Sequence, residues 1–167
     1  MIFQRDILYR VVCNIRTPMG NNQETIGTGM FVARDQDLYL LTASHVAKNN
    51  NNQTSLILCD NDGNSQRLPL IFFSDGRNSW VHHNIADLAY IRLNINSSNQ
   101  IYLQNRFFPF GQIYLKKQAV SRDVELTSIG FPLGLGADKR YSPLSFRTFA
   151  ASSFITLNRF DNRVPSE

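Results

Sequence analysis

A chain of 167 residues with 43% apolar and 18% charged side chains has enough apolar content to fold, which sets disordered classes aside. No apolar run approaches the roughly 18 residues of a membrane helix, and the opening Met1-Ile2-Phe3-Gln4-Arg5-Asp6 lacks a basic-then-apolar leader pattern. The 17 Lys+Arg against 13 Asp+Glu leave a formal charge of only +4, scattered without the stripe or tail of a dedicated nucleic-acid binder. The expectation is a cytoplasmic chain with no membrane partner and nucleic acid disfavoured.

Short apolar or alternating runs, separated by Asn, Gly, Asp and Pro, take the place of helical periodicity. They predict strands over 7–15, 25–33, 38–43, 54–60, 67–73, 88–93, 124–130 and 146–157. The separators suit turns: Pro18-Met19-Gly20-Asn21-Asn22, the asparagines near 49–52, and Asn61-Asp62-Gly63-Asn64. The polar stretch 94–100 reads as a surface linker. The stretch 101–117, with Phe107-Phe108-Pro109-Phe110-Gly111, reads as a crossover. An all-β barrel or sandwich is the fold class this spacing favours.

Cys13 and Cys59 can pair at most once and form no C-x-x-C, so a paired-thiolate zinc site is disfavoured and reduced thiols are expected. His82 and His83 are adjacent, and on a strand they point to opposite faces, poorly placed to share a metal. No cofactor and no metal are expected.

Three segments carry the chemistry. The first is Gly27-Thr28-Gly29-Met30-Phe31-Val32 followed by Leu41-Thr42-Ala43-Ser44-His45-Val46. The second is Asp87-Leu88-Ala89-Tyr90-Ile91-Arg92-Leu93. The third is Gly130-Phe131-Pro132-Leu133-Gly134. Taken singly, each has a bland explanation. The glycines could mark a strand bulge, His45 the hydrogen-bonded end of an apolar strand, Asp87 a cap on turn amides, and Gly130–Gly134 an ordinary turn. Glycines that precede a β run and not a helix do not make a phosphate loop.

Taken together, over roughly residues 7–157, these segments resemble the trypsin-like (chymotrypsin-fold) serine peptidases, in particular their bacterial, HtrA-like branch. In that family a Gly-x-Gly-Phe strand leads into Leu-Thr-Ala-x-His-Val, an Asp-Leu-Ala-x-Ile-x-Leu strand follows, and a Gly-Phe/Tyr-Pro-x-Gly turn comes in the second barrel. The resemblance implies His45 as the catalytic base and Asp87 as the acid that orients it. A serine hydroxyl needs such a base, and the imidazole needs a carboxylate to fix its tautomer and steady the imidazolium. The implied architecture is a double β-barrel. Residues 5–95 would form a complete first barrel with His and Asp, 96–117 the interdomain linker, and 118–167 the start of an incomplete second barrel.

The family's nucleophile stands in Gly-x-Ser-Gly after the Asp, and that motif does not occur here. The last glycine is Gly136, and Ser142, Ser145, Ser152, Ser153 and Ser166 beyond it lack glycine neighbours. Ser152 and Ser153 read as strand interior. The expectation is therefore the N-terminal portion of a serine endopeptidase, inactive alone, with a cysteine nucleophile left open and a strand-swapped dimer possible for the truncated chain. Its partner is a polypeptide substrate. The alternative is a non-catalytic pseudoprotease barrel that binds a peptide or partner protein. A third class is a basic nucleic-acid-binding barrel using Tyr102, Phe107, Phe108, Phe110, Lys116 and Lys117. It is weighed below the simpler view that these aromatics pack a seam.

Overall fold

Period-two alternation lays down the sheet and decides which of its faces are covered. In the computed structural model, residues 5–74, 79–115 and 120–150 are described, with the backbone alone at 157–158 and 165–166. Strands β1 (Val12–Gly20), β2 (Gln23–Arg34), β3 (Asp37–Thr42), β4 (Ser55–Cys59), β5 (Ser65–Pro69), β6 (Val81–His82) and β7 (Ala89–Leu93) form one antiparallel sheet in the order β5-β4-β1-β2-β3-β7-β6. The β1–β2 turn places Gly20, Asn21 and Asn22 at φ of 84°, 51° and 59°, which explains its composition. β2 outruns β1, and beyond that end β8 (Phe108–Pro109) pairs with it in parallel at Val32 and Ala33. β9 (Glu125–Gly130) and β10 (Leu144–Phe149) make a separate antiparallel hairpin.

The main core lies inside the curl of the large sheet. Cys13 and Ile15 of β1, Phe31 of β2, Leu40 of β3, Leu56 and Leu58 of β4, and Ile91 and Leu93 of β7 all point into it. The alternate residues Val12 and Ile57 face the other way and meet Val11, Phe131 and Ala137 in a second cluster. β1 and β4 are thus covered on both faces, and β4 is buried throughout. β7 keeps one wet face, alternating buried Ala89, Ile91 and Leu93 with exposed Tyr90 and Arg92.

The β-rich architecture agrees with the sequence, and three local expectations are corrected. Residues 7–15, read as strand, begin with the helix α1 (Arg5–Arg10), and extended backbone starts only at Val12. The apolar run there is too short for periodicity to separate helix from strand. Residues 67–73 pair only to Pro69. A 3-10 turn over Leu70–Phe72 then drops Leu70 and Phe73 into the core. The polar stretch 94–100 leads directly into a short helix, α3 (Gln100–Leu103), which seats Leu103 in the main core.

The sequence predicted a complete first barrel, but among the described residues no closed barrel forms: the strand path is open and ends at β5 and β6. The two flanks are drawn together by other means. Asn94 N donates to Phe73 O at 2.8 Å, and the fully buried Asn99 side chain donates to Phe72 O and Asn94 O, each at 2.9 Å. Of the segment assigned to a second barrel, the described side chains form the β9–β10 hairpin, whose connection from Phe131 onward covers β1 and β4. Its last predicted strand pairs from Leu144 to Phe149, and residues 151–156, with Ser152 and Ser153, lie outside the described residues.

Candidate active site

The site is assembled around Thr28 and its two glycines. Gly27 and Gly29 lie in regular register with Ile15 and Cys13, so no bulge occurs there. They are small because neighbours press on them. A β-carbon on Gly27 would stand 2.4 Å from Val46 Cγ1, and one on Gly29 would stand 2.7 Å from Leu40 Cδ1. Thr28 between them accepts a hydrogen bond from Thr42 Oγ1 on its carbonyl at 2.8 Å, and its own Oγ1 accepts from Phe131 N at 2.9 Å. One residue therefore ties the end of β3, just before His45, to the Gly130-Phe131 turn.

At Ala43 the chain is still extended, and helix α2 (Ser44–Lys48) follows at once. His45 is the second residue of that helix and not, as the sequence suggested, the end of a strand. Val46 points into the core against Gly27, which leaves the neighbouring His45 side chain half exposed, at 54%. Amides in the first turn of a helix have no intrahelical acceptor. Asp87 supplies one: its Oδ1 accepts from His45 N at 2.9 Å, and its Oδ2 lies 2.6 Å from His45 Nδ1. Both carboxylate oxygens thus serve one residue, and the Asp87 side chain is only 25% exposed. A carboxylate can only accept, so the neutral ring carries its proton on Nδ1 and its lone pair on Nε2.

Asp87 stands in the loop that joins β6 to β7, and two histidines fasten this loop. His83 Nδ1 accepts from Ile85 N at 3.1 Å and from Ala86 N at 2.8 Å, while His83 N donates to Leu88 O at 2.8 Å. His82 Nδ1 meets Ser44 Oγ at 2.7 Å, tying β6 to the first turn of α2. The adjacent rings go to different neighbours, His82 on the end of β6 and His83 already in the loop. Among the described residues no group of three or more potential ligands is poised for a metal. Sequence reasoning weighed His82 and His83 only as metal ligands and missed their structural work. The available signal was a histidine four residues before the aspartate and a serine directly before His45.

The loop also walls a cleft of about 410 Å³, lined by Val81, His82, Ile85, Leu88 and Tyr90 among others. A neighbouring cleft of about 280 Å³ shares Leu88 and Tyr90 and reaches Tyr39 and Phe110. Of these side chains Tyr90 lies on the wet face of β7, while Ile85 and Leu88 belong to the loop that carries Asp87.

The remaining sequence candidates sit elsewhere. Cys13 and Cys59 are buried free thiols on neighbouring strands, and burial pushes the Cys13 thiol far above its ordinary range. Phe108 packs into the second cluster, Tyr102 stands edge-on to Phe72 at 5.8 Å, and Phe110 lies under the Arg34 guanidinium at 5.1 Å. Phe107 is exposed, and Lys116 and Lys117 lie outside the described residues. No described helix is long and apolar enough to cross a membrane. No protein-family profile, no curated protein and no solved structure matches this chain.

Proposed function

We propose that this chain carries the base and acid of a trypsin-like serine endopeptidase, with His45 and Asp87 as two members of the triad. The observation that supports it is the grip of both Asp87 oxygens on His45, one on the backbone amide and one on Nδ1. A capping aspartate needs only the amide. The second oxygen fixes the ring's tautomer, and that is what general-base catalysis asks of an acid.

In this reading His45 Nε2 takes the proton of a hydroxyl nucleophile as its oxygen attacks the scissile carbonyl. The proton then passes to the departing amine, which leaves an acyl-enzyme for water to hydrolyse. Asp87 stays ionised and steadies the imidazolium. Ser44 is no candidate for the hydroxyl, since its Oγ is engaged by His82 and it neighbours His45 along the chain. A double barrel belongs to this same reading, with the curled sheet as its first half and β9–β10 as the opening hairpin of its second.

The experiment is fluorophosphonate labelling of a form of the protein that also carries the family's Gly-x-Ser-Gly segment. Labelling is expected, with loss in His45→Ala and a drop in turnover of about 10⁴-fold in Asp87→Asn, where the ring is left in the wrong tautomer. Labelling that survives His45→Ala overturns the assignment. The apolar cleft at Leu88 and Tyr90 favours one second reading, a pseudoprotease that holds a peptide or partner protein without cutting it. Calorimetric binding of unfolded polypeptide with no labelling and no cleavage would replace the first reading with this one.

A further inference from the structure

We propose that His83 is a positioning residue: its ring sets the β6–β7 loop so that the Asp87 carboxylate meets the His45 imidazole. This deepens the reading above by adding a residue to the same site. Its test follows the rings and not hydrolysis.

Packing does not hold this loop. Ile85 is 50% exposed and Leu88 42% exposed, and strand pairing resumes only at Ala89. The amides of Ile85 and Ala86, which have no ladder partner, both converge on the single atom His83 Nδ1. The backbone of His83 closes the other side by donating to Leu88 O. A side-chain acceptor that gathers the amides two and three residues ahead is what an Asn or Asp commonly supplies in a turn. Here the imidazole does the same. Asp87 is the residue directly after these pinned amides, so the direction of its carboxylate follows from theirs.

The chemistry carries a signature. To accept two N–H groups, Nδ1 of His83 must keep its lone pair, so the neutral ring bears its proton on Nε2. His45, bonded through Nδ1 to a carboxylate, bears its proton on Nδ1. Two histidines joined through one loop are thus held in opposite tautomers, and the first enforces the second through Asp87.

The chain has three histidines, so long-range proton–nitrogen correlation of the histidine-labelled protein at about pH 8 resolves each ring. The wild-type chain is expected to show His45 as the Nδ1–H form and His83 as the Nε2–H form. His83→Asn places a carbonyl oxygen near the position of Nδ1 and keeps the Nδ1–H form of His45. His83→Gln puts its oxygen a bond too far and loses that form, as does His83→Ala. If His83→Ala fails to fold, the contrast between Asn and Gln decides the matter. A wild-type His83 protonated on Nδ1, an Nδ1–H His45 that persists in the folded Ala or Gln variant, or its equal loss in Asn and Gln overturns the proposal. A wild-type His45 that is itself Nε2–H fails the base–acid pair, a distinct result.

Discussion

Gly27 has no room for a β-carbon because the Val46 side chain fills that space. Residue 46 follows the candidate base, so this contact sets how closely α2 lies on β2 and how His45 is aimed. Gly27→Ala is expected to destabilise the chain by about 1–3 kcal/mol through overpacking. Val46→Ala added to it should recover part of that loss, since it removes the methyl groups that the new β-carbon meets. A urea-denaturation double-mutant cycle with no coupling would show that the contact is not the cause. The cysteines make a plainer case. Cys13 is wholly buried and its thiol is held protonated by burial, so iodoacetamide should spare it in the native chain and alkylate it once unfolded, as read by intact mass.

At the scale of elements, the candidate site depends on how β2, the β3–α2 corner and the start of the β9 turn meet at Thr28. Thr28→Val keeps the shape and removes the acceptor for Phe131 N. The expected cost is about 1–2 kcal/mol, with a matching loss of hydrogen-exchange protection at the Phe131 amide. Protection unchanged at that amide would mean that another group holds the turn. Much of this level was legible in the sequence. β2, β3, β4 and β7 fall within two residues of the runs that predicted them, because each alternates or stays apolar over strand length. α2 and α3 were not legible. Helices of 5 and 4 residues carry too little period to read, and Ala43 and Asn99 cap them without any side-chain bond.

At the scale of the whole molecule, Arg16 of β1 joins the sheet to the turn that covers it. Its guanidinium donates to Gly134 O and contacts Asp138 and Glu24, while Glu24 also pairs with Arg67 at 2.7 Å. The hydrogen bond from Arg67 holds the Glu24 carboxyl below its usual range, with the Arg67 and Arg16 charges adding to it and partial burial opposing. A carboxyl lowered on folding contributes stability that is full above its unfolded pKa and is lost as pH falls through its folded value. Wild type should therefore lose more stability than Glu24→Gln between neutral pH and about pH 3. The difference should be about 0.5–1 kcal/mol, since the group is partly exposed. Equal acid losses in the two proteins, measured by chemical denaturation, would remove Glu24 from the account.

The amino-acid order by itself determined the β-rich class, most strand positions, the unpaired state of the cysteines and the two residues that meet at the candidate site. Those properties follow from local alternation, turn composition and short motifs whose spacing survives folding. Only the tertiary structure decided that the large sheet curls without a closed ladder, that Thr28 is the junction between β2 and the Phe131 turn, and that two exposed histidines hold the loop carrying Asp87. Such roles depend on which amides are left without sheet partners once the strands have paired, and that depends on contacts between residues far apart in the chain.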